Sequence, residues 1–131
     1  MRYEIPKYQI DTVNQTLTDT YQTIMEFTGS GWLEYFEINF SDAGWAVKLV
    51  IDGIDSIEIS EEEVSTFDFI NVDTAAVKGN LFIKNTGKDF FFQPSRSIYF
   101  KQSVVIKAKR ANTETPNVNR VLLHYTEEFE Q

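Results

Sequence analysis

The chain has 131 residues, 42% of them hydrophobic, and a net charge of −8. That length fits one domain able to bury about two thirds of its unfolded surface without staples, and that hydrophobic share excludes wholesale disorder. The acidic balance argues against a nucleic-acid backbone as partner, while the absence of cysteine excludes a disulfide framework, thiolate zinc sites and a cysteine nucleophile.

From the start of the chain, Met1-Arg-Tyr-Glu-Ile-Pro-Lys7 lacks the apolar stretch of a secretory leader. No run approaches the ~18 apolar residues of a membrane helix. The expectation is a soluble chain made in the cytoplasm, with no membrane insertion. Residues 1–20 are polar and threonine-rich, which predicts an extended N-terminal arm or edge strand with Thr12, Thr16, Thr18 and Thr20 on one face. Residues 21–131 read as a single domain.

Between Tyr21 and Glu58, polar–apolar alternation is broken by glycine turns, as expected of an antiparallel meander with one buried face. A strand over 21–28 places Tyr21, Thr23, Met25 and Phe27 on one face and Ile24 on the other. Gly29-Ser-Gly31 predicts a sharp connection or a bulge. The next strand, over 32–40, directs Trp32, Phe36, Ile38 and Phe40 to one side, against Leu33, Tyr35, Glu37 and Asn39. Ser41 to Gly44 is expected to close a hairpin. Trp45, Val47, Leu49 and Ile51 then form an inward face, and Asp52-Gly53 is a primed turn. Ile57 and Ile59 continue the sheet.

Ser60-Glu61-Glu62-Glu63 is the one helix-start signal, with Ser60 as cap and Glu63 reaching back. Val64 and Phe67 follow at spacing three, which predicts one or two helical turns near 61–67. From 72 to 92 the pattern is short and apolar: Val77 precedes a Gly79-Asn80 turn, and a second turn falls at Asn85-Thr-Gly87. In Phe90-Phe91-Phe92 one ring must point away from the other two, and the residues leave open whether these rings are core or interface. Ser97 to Lys109 is the longest alternation, with Ile98, Phe100, Val104, Ile106 and Ala108 on one face. Val118 to Thr126 is a returning strand, and Glu127 to Gln131 an acidic tail. The sum is an all-β chain: a single antiparallel, jelly-roll-like β-sandwich with at most one short helix. Its aromatic share of 15% suits strands packed in two layers.

Candidate chemistry is thin. His124 is the single histidine; no Gly-x-Ser-x-Gly elbow accompanies it, which leaves it a surface or inter-sheet residue. Glu34, Glu37, Asp52, Asp55 and Glu58 are close in sequence, and a glycosidase would need two of them facing across a cleft. Asp52-Gly-Ile-Asp55 lacks the ligand pattern and closing glutamate of a calcium loop. Lys101, Lys107, Lys109 and Arg110 read as a solvated strand face. Trp32 and Trp45 could stack on a sugar ring if exposed, although both fall in phase with an apolar face. No catalytic, metal or cofactor residue is expected, and no cofactor.

Leu17-Thr-Asp-Thr-Tyr-Gln-Thr-Ile-Met-Glu-Phe-Thr-Gly-Ser-Gly-Trp-Leu33, leading to Val47-Lys-Leu-Val-Ile-Asp-Gly53, resembles a pattern in small structural proteins of tailed bacteriophages. There a threonine-rich strand enters Gly-x-Gly-x-Leu, and a later turn reads Ile-Asp-Gly. Ser97-Ile-Tyr-Phe-Lys-Gln-Ser-Val-Val-Ile-Lys107 is similar to the late strand of those proteins; Ser60 to Ile70 has no counterpart. The resemblance implies a non-enzymatic virion component, such as a capsid decoration protein, a head or tail fibre module or a baseplate-associated module. Such a component would be assembled in the host cytoplasm, form homo-oligomers and dock on other virion proteins. The polar arm and surplus aromatics suit that expectation, because an arm can add a strand to a neighbour's sheet. A carbohydrate-binding module that adheres to host-surface glycan is the alternative.

Overall fold

The computed structural model describes residues 2–66, 74–77, 80–85 and 88–130. Its strands are β1 (Arg2–Thr16), β2 (Gln22–Thr28), β3 (Gly31–Phe40), β4 (Trp45–Ile51), β5 (Ile54–Ser60), β6 (Thr74–Val77), β7 (Asn80–Asn85), β8 (Asp89–Gln93), β9 (Ile98–Phe100), β10 (Ser103–Arg110) and β11 (Asn117–Glu130), with one helix, α1 (Glu61–Thr66), after β5. Seven strands form one sheet, in the order β1-β11-β3-β8-β7-β6 with β9 also on β3. Four form the other, in the order β2-β10-β4-β5. Every pairing is antiparallel. The molecule is an all-β sandwich.

The expected meander is an alternation between sheets. β2, β3 and β4 fall in the small, the large and the small sheet in turn, so Ser41 to Gly44 is an arch across the core and not a hairpin. Phe40 and Trp45, on either side of it, stack face to face at 4.8 Å from opposite layers. Side-chain alternation has the same phase in an arch as in a hairpin, so the period alone does not separate them. Asp52-Gly53 is a true hairpin turn: φ of +52° and +79° is the primed geometry, and Ile51 pairs with Ile54 across it.

Between the sheets lie Leu33, Phe36, Ile38, Phe40, Trp45, Leu49, Phe90, Phe92, Phe100, Ile106 and Leu123, all essentially inaccessible. Trp45, Phe40, Phe90, Phe36, Phe92 and Phe82 form a continuous ring cluster, where aromatic contacts add to the burial term. Trp45 is therefore a core residue, as are Phe90 and Phe92. Phe91 points to the opposite side of β8.

Two bulges reset faces that alternation alone assigns differently. In β3 the register slips at Glu34, between the pairs His124–Tyr35 and Tyr125–Leu33. Leu33 is consequently buried, and Trp32 turns to the outer face. Gly31 makes this possible: a Cβ there would meet the Thr126 carbonyl oxygen at 2.1 Å. In β2 a slip between the pairs Met25–Ile106 and Thr23–Lys107 leaves Ile24 and Met25 both buried.

β1 is the edge strand of the large sheet, paired with β11 from Arg2–Glu130 to Thr16–Asn117. Thr18 and Thr20 lie beyond its end in a turn, where the Thr18 hydroxyl donates to the Thr20 carbonyl at 3.3 Å. Glu127 to Glu130, read as a tail, is the end of β11 and pairs with Ile5 to Arg2. The capping box is present: the Glu63 N–H donates to Ser60 Oγ at 3.2 Å and the Ser60 N–H donates to Glu63 Oε1 at 3.1 Å. Val64 is buried beneath the helix. Phe67, Gly79, Thr86, Gly87 and Gln131 lie outside the described residues.

Candidate docking site

Because alternate residues of each strand face outward, cross-strand register lays out the outer surfaces row by row. On the large sheet one row runs Ile83–Phe91–Glu37–Leu122–Ile10 over β7, β8, β3, β11 and β1. The next is Tyr35–His124–Tyr8, and the one after it Tyr99–Trp32–Thr126–Pro6. Polar rows lie beyond on both sides, Asp89–Asn39–Arg120–Thr12 and Glu128–Glu4. Tyr8 stacks on His124 at 4.4 Å, His124 meets Tyr35 edge-on at 4.8 Å, and Tyr35 meets Phe91 at 5.3 Å. Trp32 lies 5.0 Å from Tyr99. Tyr8, Ile10 and Tyr99 are 61%, 65% and 46% exposed. A groove of about 470 Å³ runs along the first row, lined by Ile10, Ile83, Phe91 and Leu122 together with the polar Glu37, Asn39, Asp89 and Arg120.

Burial holds the Tyr35 hydroxyl above its ordinary range, and its hydrogen bond with Tyr8 acts in the same direction. His124 Nδ1 is buried and has no hydrogen-bond partner among the described residues. A histidine base of a triad would need a carboxylate or hydroxyl to orient that nitrogen, and none of the described residues supplies one.

The outer face of the small sheet is different in kind. Its central row is Thr23–Lys107–Lys48–Glu58. Lys48 Nζ lies 3.3 Å from Asp55 and 3.7 Å from Glu58, and Lys48 and Lys109 both sit over the Tyr21 ring, at 4.7 and 4.9 Å. The Tyr21 hydroxyl is pushed up to about 12 by burial first and then by the nearby acids Glu58, Glu63 and Asp55. Lys107 and Lys109 thus share a polar face, while Lys101 sits on the exposed turn between β9 and β10.

The five carboxylates do not converge. Glu34 accepts hydrogen bonds from Ser97 and Thr126 beside its bulge, and Glu37 stands on the outer face of the large sheet. Asp55 and Glu58 share Lys48, and among the described residues no group of three or more histidines, cysteines or carboxylates could hold a metal ion. Glu61 pairs with Lys84 at 2.7 Å, joining α1 to β7. Asp52 has a role the sequence reading did not give it: its carboxylate accepts the backbone N–H groups of Lys101, Gln102 and Ser103 at 2.7–3.1 Å. These bonds, that of Lys101 first, hold Asp52 below the usual carboxylate range. They fix the point where the chain leaves β9 in the large sheet and enters β10 in the small one.

No protein-family model matches the chain, and no characterised protein matches it in sequence. Among solved structures, it is similar to a serine protease of Aeromonas sobria, with TM-score 0.50 and 9% identity, over 97% of this chain and 27% of that one. Dimeric latent PorU from Porphyromonas gingivalis gives TM-score 0.49 and 12% identity, over 95% of this chain and 13% of that one. FlhE gives 0.47 and 8%, over 96% of each chain. The chain spans about a quarter of the length of the protease. At this identity the likeness to the protease describes the fold alone.

Proposed function

We propose that this chain is a non-enzymatic structural component of a tailed-phage virion (a capsid decoration, fibre or baseplate-associated module), assembled in the host cytoplasm. It acts by self-assembly and by docking on other virion proteins. The observation that carries the docking role is the outer face of the seven-stranded sheet, where Tyr8, Ile10, Tyr35, Phe91, Trp32 and Tyr99 lie at least partly open to solvent. Monomeric proteins rarely leave a contiguous apolar surface uncovered, and aromatic side chains dominate the centres of protein interfaces. The virion setting rests on the sequence resemblance in Leu17–Leu33, Val47–Gly53 and Ser97–Lys107.

The test is quantitative mass spectrometry of particles purified from cells that carry the gene. Recovery of the chain in intact particles, at a copy number matching a symmetric site, is the expected result. A chain confined to the soluble fraction overturns the proposal.

One feature favours a second reading. Trp32 is partly exposed beside Tyr99, their rings tilted by 57°, and the open face of an aromatic ring can stack on a sugar. A carbohydrate-binding module would bind an immobilised glycan panel and lose that binding in Trp32→Ala.

A further inference from the structure

β1 ends the large sheet, and its outer backbone edge has no strand against it among the described residues. Open edges are normally blunted by proline, charge or bulges. β1 carries such devices in two places, Pro6 and the bulge after Thr12, where Asn14 takes φ +47°. Between them, residues 7–12 run as regular strand with no such interruption. The midpoint of Pro6 and Thr12 is Gln9.

Antiparallel pairing of this segment with itself about Gln9 brings each residue opposite a chemically suitable one. Lys7 meets Asp11 of the second copy, and Asp11 meets Lys7, on the inner face. Tyr8 meets Ile10, and Ile10 meets Tyr8, on the outer face. These two are among the most exposed large apolar side chains of the protein, at 61% and 65%, and the pairing gathers four of them into one patch. Pro6 falls opposite Thr12, where its missing N–H removes at most one hydrogen bond at each end. Shifting the register by two residues in either direction sets Lys7 opposite Gln9 or Val13 and separates the charges. The Lys7 ammonium, although 3.1 Å from Glu127, keeps 40% of its side chain exposed and can reach a second acid.

We propose that β1 pairs antiparallel with β1 of a second copy across a two-fold axis at Gln9, fusing two seven-stranded sheets into one. This rests on the assembly reading above and names its self-contact. The fused sheet makes the two aromatic outer faces continuous through Tyr8 and Ile10, so a partner meets one surface twice as long. A two-fold contact is self-complementary by construction. A seven-residue strand pair is small beside a standard interface, so the dimer forms in a concentration-dependent way.

The absence of cysteine gives a clean test with the full chain. In Gln9→Cys the two sulfurs face each other across the axis, with Cα atoms about 4.5–5.5 Å apart, within disulfide reach. In Thr12→Cys they are about 20 Å apart, from ~3.3 Å per residue along the strand. Mild oxidation is expected to give a covalent dimer from Gln9→Cys and monomer from Thr12→Cys. In sedimentation equilibrium, Ile10→Lys, at an exposed position, is expected to weaken self-association about tenfold by placing like charges beside the axis. Circular dichroism confirms that each variant folds. Equal cross-linking of the two cysteine variants overturns the interface, as does a monomer at every concentration up to the solubility limit. A dimer indifferent to Ile10→Lys does the same. None of these outcomes decides whether the chain is found in particles, so the failure of this contact and the failure of the virion role are separate results.

Discussion

On the outside of the seven-stranded sheet, Tyr8, His124, Tyr35 and Phe91 touch one another in turn across four strands. On the outside of the four-stranded sheet the central row carries Lys107, Lys48 and Glu58. Both surfaces cover the same core, and both come from strands with period-two alternation. The difference teaches that alternation identifies the buried face and leaves the character of the other face free. Where that face is charged, water suffices as its neighbour. Where it is aromatic, a partner gains by covering it.

The largest effect expected concerns how the aromatic face is made. Gly31→Ala drives a methyl into the Thr126 carbonyl and is expected to cost about 3 kcal/mol of stability, the upper range for overpacking, in denaturant titration. The variant should also shift Trp32 fluorescence, since the bulge is what turns that ring outward. A wild-type midpoint and spectrum would break the bulge account.

Asp52→Ala comes next, because it removes the acceptor that holds three backbone donors at the crossing between the sheets. A loss of about 1–2 kcal/mol is expected from leaving those donors to water. The sign of the pH effect follows from the lowered value. The contribution is fully present above the carboxylate's unfolded value near 3.8 and is lost as pH falls through the lower folded value. Wild type should therefore lose stability in acid more steeply than Asp52→Ala.

Smaller effects separate the two outer faces by salt. Lys48→Met is expected to cost about 0.5 kcal/mol at low ionic strength, since its acid partners Asp55 and Glu58 are exposed. The difference should vanish near 1 M salt, at which the screening length is about 3 Å. Trp32→Ala, at a partly exposed site, should change monomer stability by less than about 1 kcal/mol while weakening any assembly through the aromatic face, and salt should leave that association intact. If instead salt abolishes it, the charged face is the docking surface.

The last effect is spectroscopic. The Tyr21 phenolate should appear near pH 12 in ultraviolet difference titration. A raised value means that its neutral form favours the fold. That contribution is complete below the ordinary tyrosine value of 10 and fades as pH climbs towards 12. Titration near 10 would mean that the hydroxyl is neither buried nor held among Glu58, Glu63 and Asp55.

Much of the fold was legible from the residues alone. The all-β sandwich, the Ser60–Glu63 capping box, the primed turn at Asp52-Gly53 and the split orientation of Phe90 to Phe92 all follow from local rules of period, capping and turn geometry. What escaped were the properties set by distant partners. Trp32 points outward because Gly31 closes on Thr126, almost a hundred positions away. Phe40 and Trp45 face each other across the core because β3 and β4 belong to different sheets. Residues 97–109 read as one alternation, yet the chain changes sheet at Lys101 and Gln102, held by a carboxylate from another hairpin. The docking face was hidden for the same reason. Tyr8, Tyr35, Phe91 and His124 come from four separate strands, and only register gathers them.

The most direct test of the account is hydroxyl-radical footprinting of aromatic side chains, comparing the free chain with the chain in purified particles. Tyr8, Trp32 and Tyr99 should become protected on assembly, while Tyr21, on the charged face of the small sheet, keeps its free-chain reactivity. Protection of Tyr21 with Tyr8, Trp32 and Tyr99 left reactive would contradict it.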